Sequence, residues 1–183
     1  MLDLDGKVHV WRADLSGITA SEVLHRVLAH YLDIPPEAIE LETGPHGKPR
    51  LQGEARLRFN LSHSADLAAI AVTIDREVGI DVERIDPERD ALALARRALP
   101  REDADEVAAA SPGKRPQIFH AAWARHEAVA KCGGTGLGVP PAELAQRREQ
   151  LSVLSLDFGS EFAAALAVEG EAPSVRRFEL EAQ

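Results

Sequence analysis

Residues 78–83 read VGIDVE, and that short stretch constrains the chain more than any other. Side chains alternate along a strand, so Val78, Ile80 and Val82 share one face while Gly79, Asp81 and Glu83 share the other. The apolar face demands a core. The acidic face puts two like charges side by side, which repel unless water or a cation lies against them. Either that face is wet, or Asp81 and Glu83 are hard oxygen ligands for a divalent cation.

The surroundings narrow the choice of fold. The chain has 183 residues, 45% of them hydrophobic, enough for one globular domain or two tightly packed halves. Apolar runs are all shorter than a membrane span, and the opening MLDLDGKV has no signal-peptide character, so a cytoplasmic protein is expected. Cys132 is the only cysteine, which excludes an internal disulfide. A formal charge of −9 and a 4% aromatic content argue against a nucleic-acid binder. Arginine outnumbers lysine 17 to 4, so Lys7, Lys48, Lys114 and Lys131 stand out as point charges in a chain that otherwise uses guanidinium.

Residues 7–13 alternate like a strand, and further strands are expected at about 57–61, 67–74, 78–85, 151–157, 161–168 and 174–180. Thr19-Ala-Ser-Glu22 reads as a capping box opening a helix to about Asp33. Residues 90–110 predict two short helices split by Pro100, and a longer helix runs from Pro116 to Cys132. Residues 43–53 and 134–141 read as loops. The segments LAAIAV (67–72) and FAAALAV (162–168) echo one another. The expected fold is therefore α+β: one domain over 1–183, built from two similar halves of about 1–77 and 78–183, each a small sheet with a helix, and with strand 78–85 near the seam. GTGLG (134–138) follows a helix rather than joining a strand to one, so it is not a dinucleotide site.

A third carboxylate belongs with the acidic pair. Trp123, Glu127 and Lys131 are four residues apart and lie along one helix face. Glu127 and Lys131 could be an ordinary surface pair, but a stripe that opens with Trp points to an interface. Three carboxylates without clustered His or Cys suit Mg²⁺, and a lysine beside them suits charge growing on a phosphate. Ser62 and His63 set a hydroxyl and an imidazole at a strand end. Gly47, Lys48, Pro49 and Arg50 put a lysine on a stiff loop. Both segments read either as anion contacts or as polar surface.

In order, GPHGKP (44–49), FNLSHS (59–64), GIDVE (79–83) and WARHEAVAKCGGTGL (123–137) resemble the signature blocks of the 4′-phosphopantetheinyl transferases of the surfactin-synthetase (Sfp-like) type. VHVWRADL (8–15) is similar to that family's first strand. The resemblance implies two α+β halves with coenzyme A in the cleft between them. It also implies transfer of the phosphopantetheine arm to a serine of an acyl or peptidyl carrier protein, releasing 3′,5′-ADP. Asp81, Glu83 and Glu127 would hold Mg²⁺, with Glu127 also the general base. Lys131 would stabilise the pyrophosphate as its bond breaks. Ser62 and His63 would contact the nucleotide, and Gly47, Lys48 and Pro49 would line the adenine side. The protein is expected to be a monomer with no nucleic-acid or membrane partner. Two features depart from the family. His126 stands where the Trp-x-x-Lys-Glu pattern has its lysine, and only Asp14 to Ile18 separate the first strand from the first helix, leaving Arg12 and Arg26 as the nearest cations. A degenerate member that binds coenzyme A or a carrier without transfer, and an Mg²⁺-dependent phosphohydrolase, are the competing expectations.

Overall fold

A computed structural model of the chain describes residues 3–44, 47–53, 56–134 and 141–181. The N-terminal part forms β1 (Lys7–Asp14), α1 (Ala20–Leu32), a hairpin of β2 (Leu41–Thr43) and β3 (Pro49–Leu51), β4 (Leu57–Ser64) and β5 (Leu67–Ile74). There follow β6 (Val78–Arg84), α2 (Ala91–Ala98), α3 (Arg101–Ala109), α4 (Arg115–Cys132), α5 (Pro141–Arg148), β7 (Leu151–Leu156), β8 (Phe162–Glu169) and β9 (Ser174–Leu180).

One sheet runs β4-β5-β1-β9 and another β6-β8-β7. Neighbours are antiparallel except β1 and β9, which run parallel with Val8 opposite Val175. The sheet of the N-terminal part is thus completed by the last strand of the chain. The layers follow from alternation. Trp11, Phe59 and Ile70 face α1 and pack on Val23, Val27 and Leu28. Val8, Val10, Ala69 and Ala71 face the other way, onto Val78, Ile80, Val82 and Leu166 of the second sheet. The far side of that sheet takes α4, through Ala124 and Ala128 against Ala163, Ala165 and Ala167. The result is a helix–sheet–sheet–helix stack, α+β as expected.

Local signals explain the element ends. Thr19 accepts from the Glu22 amide while the Glu22 carboxylate accepts from the Thr19 amide, so the capping box is complete. α1 stops at Asp33 in the left-handed region, φ 56°. α4 begins with Pro116 in its first turn, where a missing N–H costs nothing.

The structure also corrects several expectations. Residues 43–53 are not simply a loop, because β2 and β3 pair there, and Arg50 Nε meets Glu42 Oε1 at 2.8 Å across the hairpin. β4 continues through Ser64, so Ser62 and His63 lie within the strand and not beyond its end. α5 was not expected. Most of the anticipated 134–141 loop lies outside the described residues. Among the described residues no helix is long and apolar enough to cross a membrane.

Candidate active site

The acidic face of β6 is buried at Asp81 and half-buried at Glu83. A Cβ on Gly79 would sit 2.1 Å from the Ala128 carbonyl oxygen and 2.3 Å from the Cys132 nitrogen, so only glycine lets strand and helix approach this closely. Asp81 and Glu83, on the same face as Gly79, are thereby pressed against the helix side that carries Trp123, Glu127 and Lys131. Asp81 is 2% exposed and Glu127 5%.

The other wall comes from β4. As the first strand of its sheet order, β6 would leave one row of amides unpaired, yet side chains of β4 receive them. Asn60 Oδ1 accepts from the Ile80 amide at 2.9 Å, Ser62 Oγ from Val82 at 3.3 Å, and Ser64 Oγ from Arg84 at 3.0 Å. This ladder joins the two sheets at the site. Sequence reasoning missed Asn60. Its signal was the alternation Asn60-x-Ser62-x-Ser64, which sets small polar side chains at every second position of β4.

Ser62 does more than one job. Its hydroxyl donates to Asp81 Oδ1 at 2.9 Å and accepts from Lys131 Nζ at 3.0 Å as well as from the Val82 amide. Lys131 Nζ also lies 2.5 Å from Asp81 Oδ1. The second carboxylate oxygen, Asp81 Oδ2, is buried with no hydrogen-bond partner.

The three carboxylates crowd one another. Burial, then the Asp81 charge, raises the pKa of Glu83, while the Trp123 indole donates a hydrogen bond to it and draws it back. Burial, reinforced by Asp81 and Glu83, pushes Glu127 up to about 7, and Lys131 offsets this only in part.

The residues named for metal, catalysis and coenzyme A come together. Gly47, Lys48, Pro49, Ser62, His63, Asp81, Glu83, Glu127 and Lys131 line one cavity of about 460 Å³. A larger cavity of about 1240 Å³ shares Lys48, Pro49 and Gly134 with it but contains none of the three carboxylates. Lys48 is not a free loop cation, for its ammonium bonds Glu77, Val78 and Cys132. His126 does not line the cavity. Its ring stacks on Trp123, 5.8 Å between centroids, and burial lowers its pKa. Arg125 turns to α3, 3.4 Å from Asp103 and 3.8 Å from Glu106. Arg12 lies over the Phe158 ring.

Among the described residues no group of three or more His, Cys, Asp or Glu side chains forms a ready-made metal site. The donors nevertheless fit a hard divalent cation. Asp81 leaves a buried carboxylate oxygen without a partner, and Glu83 and Glu127 are raised first by burial and then by neighbouring negative charge; a cation among them would offset all three.

Comparison with known proteins agrees with the blocks. The family profile of the 4′-phosphopantetheinyl transferase superfamily matches residues 77–174. The chain is 35% identical over 164 residues to the 4′-phosphopantetheinyl transferase HetI of Nostoc sp., covering 81% of this chain and 68% of HetI. It is 36% identical over 108 residues to the 4′-phosphopantetheinyl transferase AcpT of Escherichia coli, covering 59% of this chain and 54% of AcpT. It is 35% identical over 117 residues to the 4′-phosphopantetheinyl transferase psf-1 of Bacillus pumilus, covering 63% of this chain and 49% of psf-1. The chain therefore spans about two thirds of HetI's length and about half of the other two.

Proposed function

Because the chain belongs to the 4′-phosphopantetheinyl transferase superfamily, we propose that it acts as a transferase of the holo-carrier-protein synthase type. The substrates are coenzyme A and the serine of an acyl or peptidyl carrier protein. The serine oxygen attacks the phosphorus that bears the pantetheine arm, the pyrophosphate bond breaks, and 3′,5′-ADP leaves with the bond's electrons. The observation that carries this reading is the meeting of Asp81, Glu83, Glu127 and Lys131 in one cavity, with Asp81 Oδ2 left unpartnered.

Asp81, Glu83 and Glu127 are the residues that would hold Mg²⁺. When bound, that ion neutralises the pyrophosphate and makes its phosphorus easier to attack. Glu127 takes the proton of the serine hydroxyl, directly or through one water. Lys131, on the same helix face one turn on, supplies positive charge where the leaving phosphate gains negative charge. Trp123 orients Glu83 through its indole N–H. His63 is exposed on the cavity wall, open to a phosphate of the nucleotide.

The test is to incubate the protein with apo carrier protein, coenzyme A and Mg²⁺ and to weigh the carrier by mass spectrometry. The expected result is a gain of one phosphopantetheine, abolished by chelation. Full transfer after exhaustive chelation removes the metal assignment. Binding of coenzyme A without any mass gain removes the transferase reading.

A further inference from the structure

The Lys48 ammonium carries three protons, and the fold supplies three acceptors. Nζ donates to Glu77 Oε2 at 2.7 Å, to the Val78 carbonyl at 3.0 Å and to the Cys132 carbonyl at 3.2 Å. The side chain is 17% exposed. All its donors are spent inside the protein, which leaves none for a nucleotide.

The three acceptors come from two places, the start of β6 and the end of α4. Glu77 immediately precedes β6, Val78 opens that strand, and Cys132 ends α4. The Cys132 carbonyl is one of the helix's last, which have no partner within the helix, and a cation at that end also favours the helix dipole. Glu77 in turn accepts from Arg58 Nε of β4 at 2.9 Å, so the clasp reaches the other sheet as well. It closes beside the close approach of Gly79 to Ala128 and Cys132. Asp81 and Glu83 lie two and four residues further along the strand. Glu127 and Lys131 lie within the last two turns of the helix.

We infer that Lys48 is a positioning residue that seats α4 on β6, and so sets the spacing of Glu127 and Lys131 from Asp81 and Glu83, instead of acting as a ligand on the adenine side. The kinetic half of this inference rests on the transferase reading; the structural half does not.

Two variants test it. Lys48→Met keeps the stem and removes the ammonium. Glu77→Gln weakens one acceptor that does not line the cavity of the carboxylates. Coenzyme A affinity is read by calorimetry, transfer by kcat, and the clasp by Tm and by amide exchange in the last turn of α4. Lys48→Met is expected to lower kcat about tenfold or more, since small misplacements of reacting groups are costly. Its Kd for coenzyme A should stay within about twofold of wild type, because no ligand contact is lost. Glu77→Gln should change the same quantities in the same direction. The two Tm losses should sum to more than the loss in the double variant, and exchange at the end of α4 should accelerate.

A Lys48→Met protein with weakened coenzyme A binding, unchanged kcat and unchanged exchange would make Lys48 a ligand and overturn the inference. If Lys48→Met does not fold, Glu77→Gln alone decides between the same two patterns. If the wild type transfers nothing to any carrier, the transferase reading fails, and Tm coupling with amide exchange still decides the clasp.

Discussion

Asp81 and Glu127 are almost equally buried, yet their charges stand in opposite situations. Asp81 has a cation at 2.5 Å and the Ser62 hydroxyl at 2.9 Å. Glu127 faces two like charges and a desolvated setting, so its ionised form is a burden on the fold. Asp81→Asn and Glu127→Gln should therefore agree in function and differ in stability. Each is expected to lower transfer by about 100-fold or more, as loss of a charge-stabilising group does. Asp81→Asn strands the Lys131 ammonium and should cost up to about 3 kcal/mol. Glu127→Gln removes a repulsion and should raise Tm at pH 8, by about 2–4 °C for each kcal/mol relieved. Thermal unfolding beside the transfer assay checks both, and a Glu127→Gln protein less stable than wild type contradicts the crowding argument. Mg²⁺ supplies a companion test. A ligand that binds only the folded state raises Tm by mass action, so Mg²⁺ with coenzyme A should stabilise the wild type and stabilise Asp81→Asn much less. Equal shifts in the two proteins would detach Asp81 from the metal.

At the scale of elements, the site is a product of how closely β6 and α4 can lie. A methyl group on Gly79 would overlap helix backbone at 2.1 Å, and backbone cannot rotate away as a side chain can. Gly79→Ala is expected to cost about 1–3 kcal/mol or more, the usual range for overpacking, and to depress transfer further than its stability loss alone explains. Denaturant midpoints with kcat measured on the folded fraction separate the two effects; full activity in a stable Gly79→Ala protein would show that the helix seat is not critical. The strands were legible from alternation in VHVWRA and from a short apolar block in LAAIAVTI, which is buried on both faces, and α1 was legible because its capping box is written in four residues. The hairpin at β2 and β3 was not, since three residues a side are too few to show a period. Nor was the ladder in which Asn60, Ser62 and Ser64 serve amides of β6 twenty residues away. A polar residue in a strand gives no sign of which distant edge it will meet. The same limit hid the crossover of β9 and the clasp of Lys48, whose three partners lie 29, 30 and 84 residues further on.

The molecule as a whole stacks two sheets between two helices, and that depth of burial traps histidines in the neutral form. His9 is fully buried, with Nδ1 2.9 Å from the Tyr31 hydroxyl and Nε2 without a partner. Burial lowers its pKa below 6.5, and the Arg176 and Lys7 charges lower it further against the pull of Asp3. His120 is likewise lowered by burial and by Arg89, against the Pro116 carbonyl and Asp86; its Nδ1 lies 2.7 Å from that carbonyl. A histidine whose folded pKa lies below its unfolded value binds fewer protons when folded. Its penalty is absent above about pH 6.5 and grows as pH falls through the window down to the folded pKa. Glu83 and Glu127 act in the opposite sense, because their raised values let the folded state hold more protons as pH falls, in the case of Glu127 from about 7. The wild-type slope is thus a difference of two effects, and only variants resolve it. His9→Gln and His120→Gln keep a polar group of similar size and remove the titration. Each is expected to be less stable than wild type at pH 7.5, where neutral imidazole fits best, and to lose less stability than wild type between pH 7 and pH 5. Urea midpoints at both pH values measure the change. Curves that stay parallel to wild type across that window would mean that neither imidazole takes up a proton on unfolding, and any acid sensitivity would then arise from groups other than these histidines and the raised carboxylates.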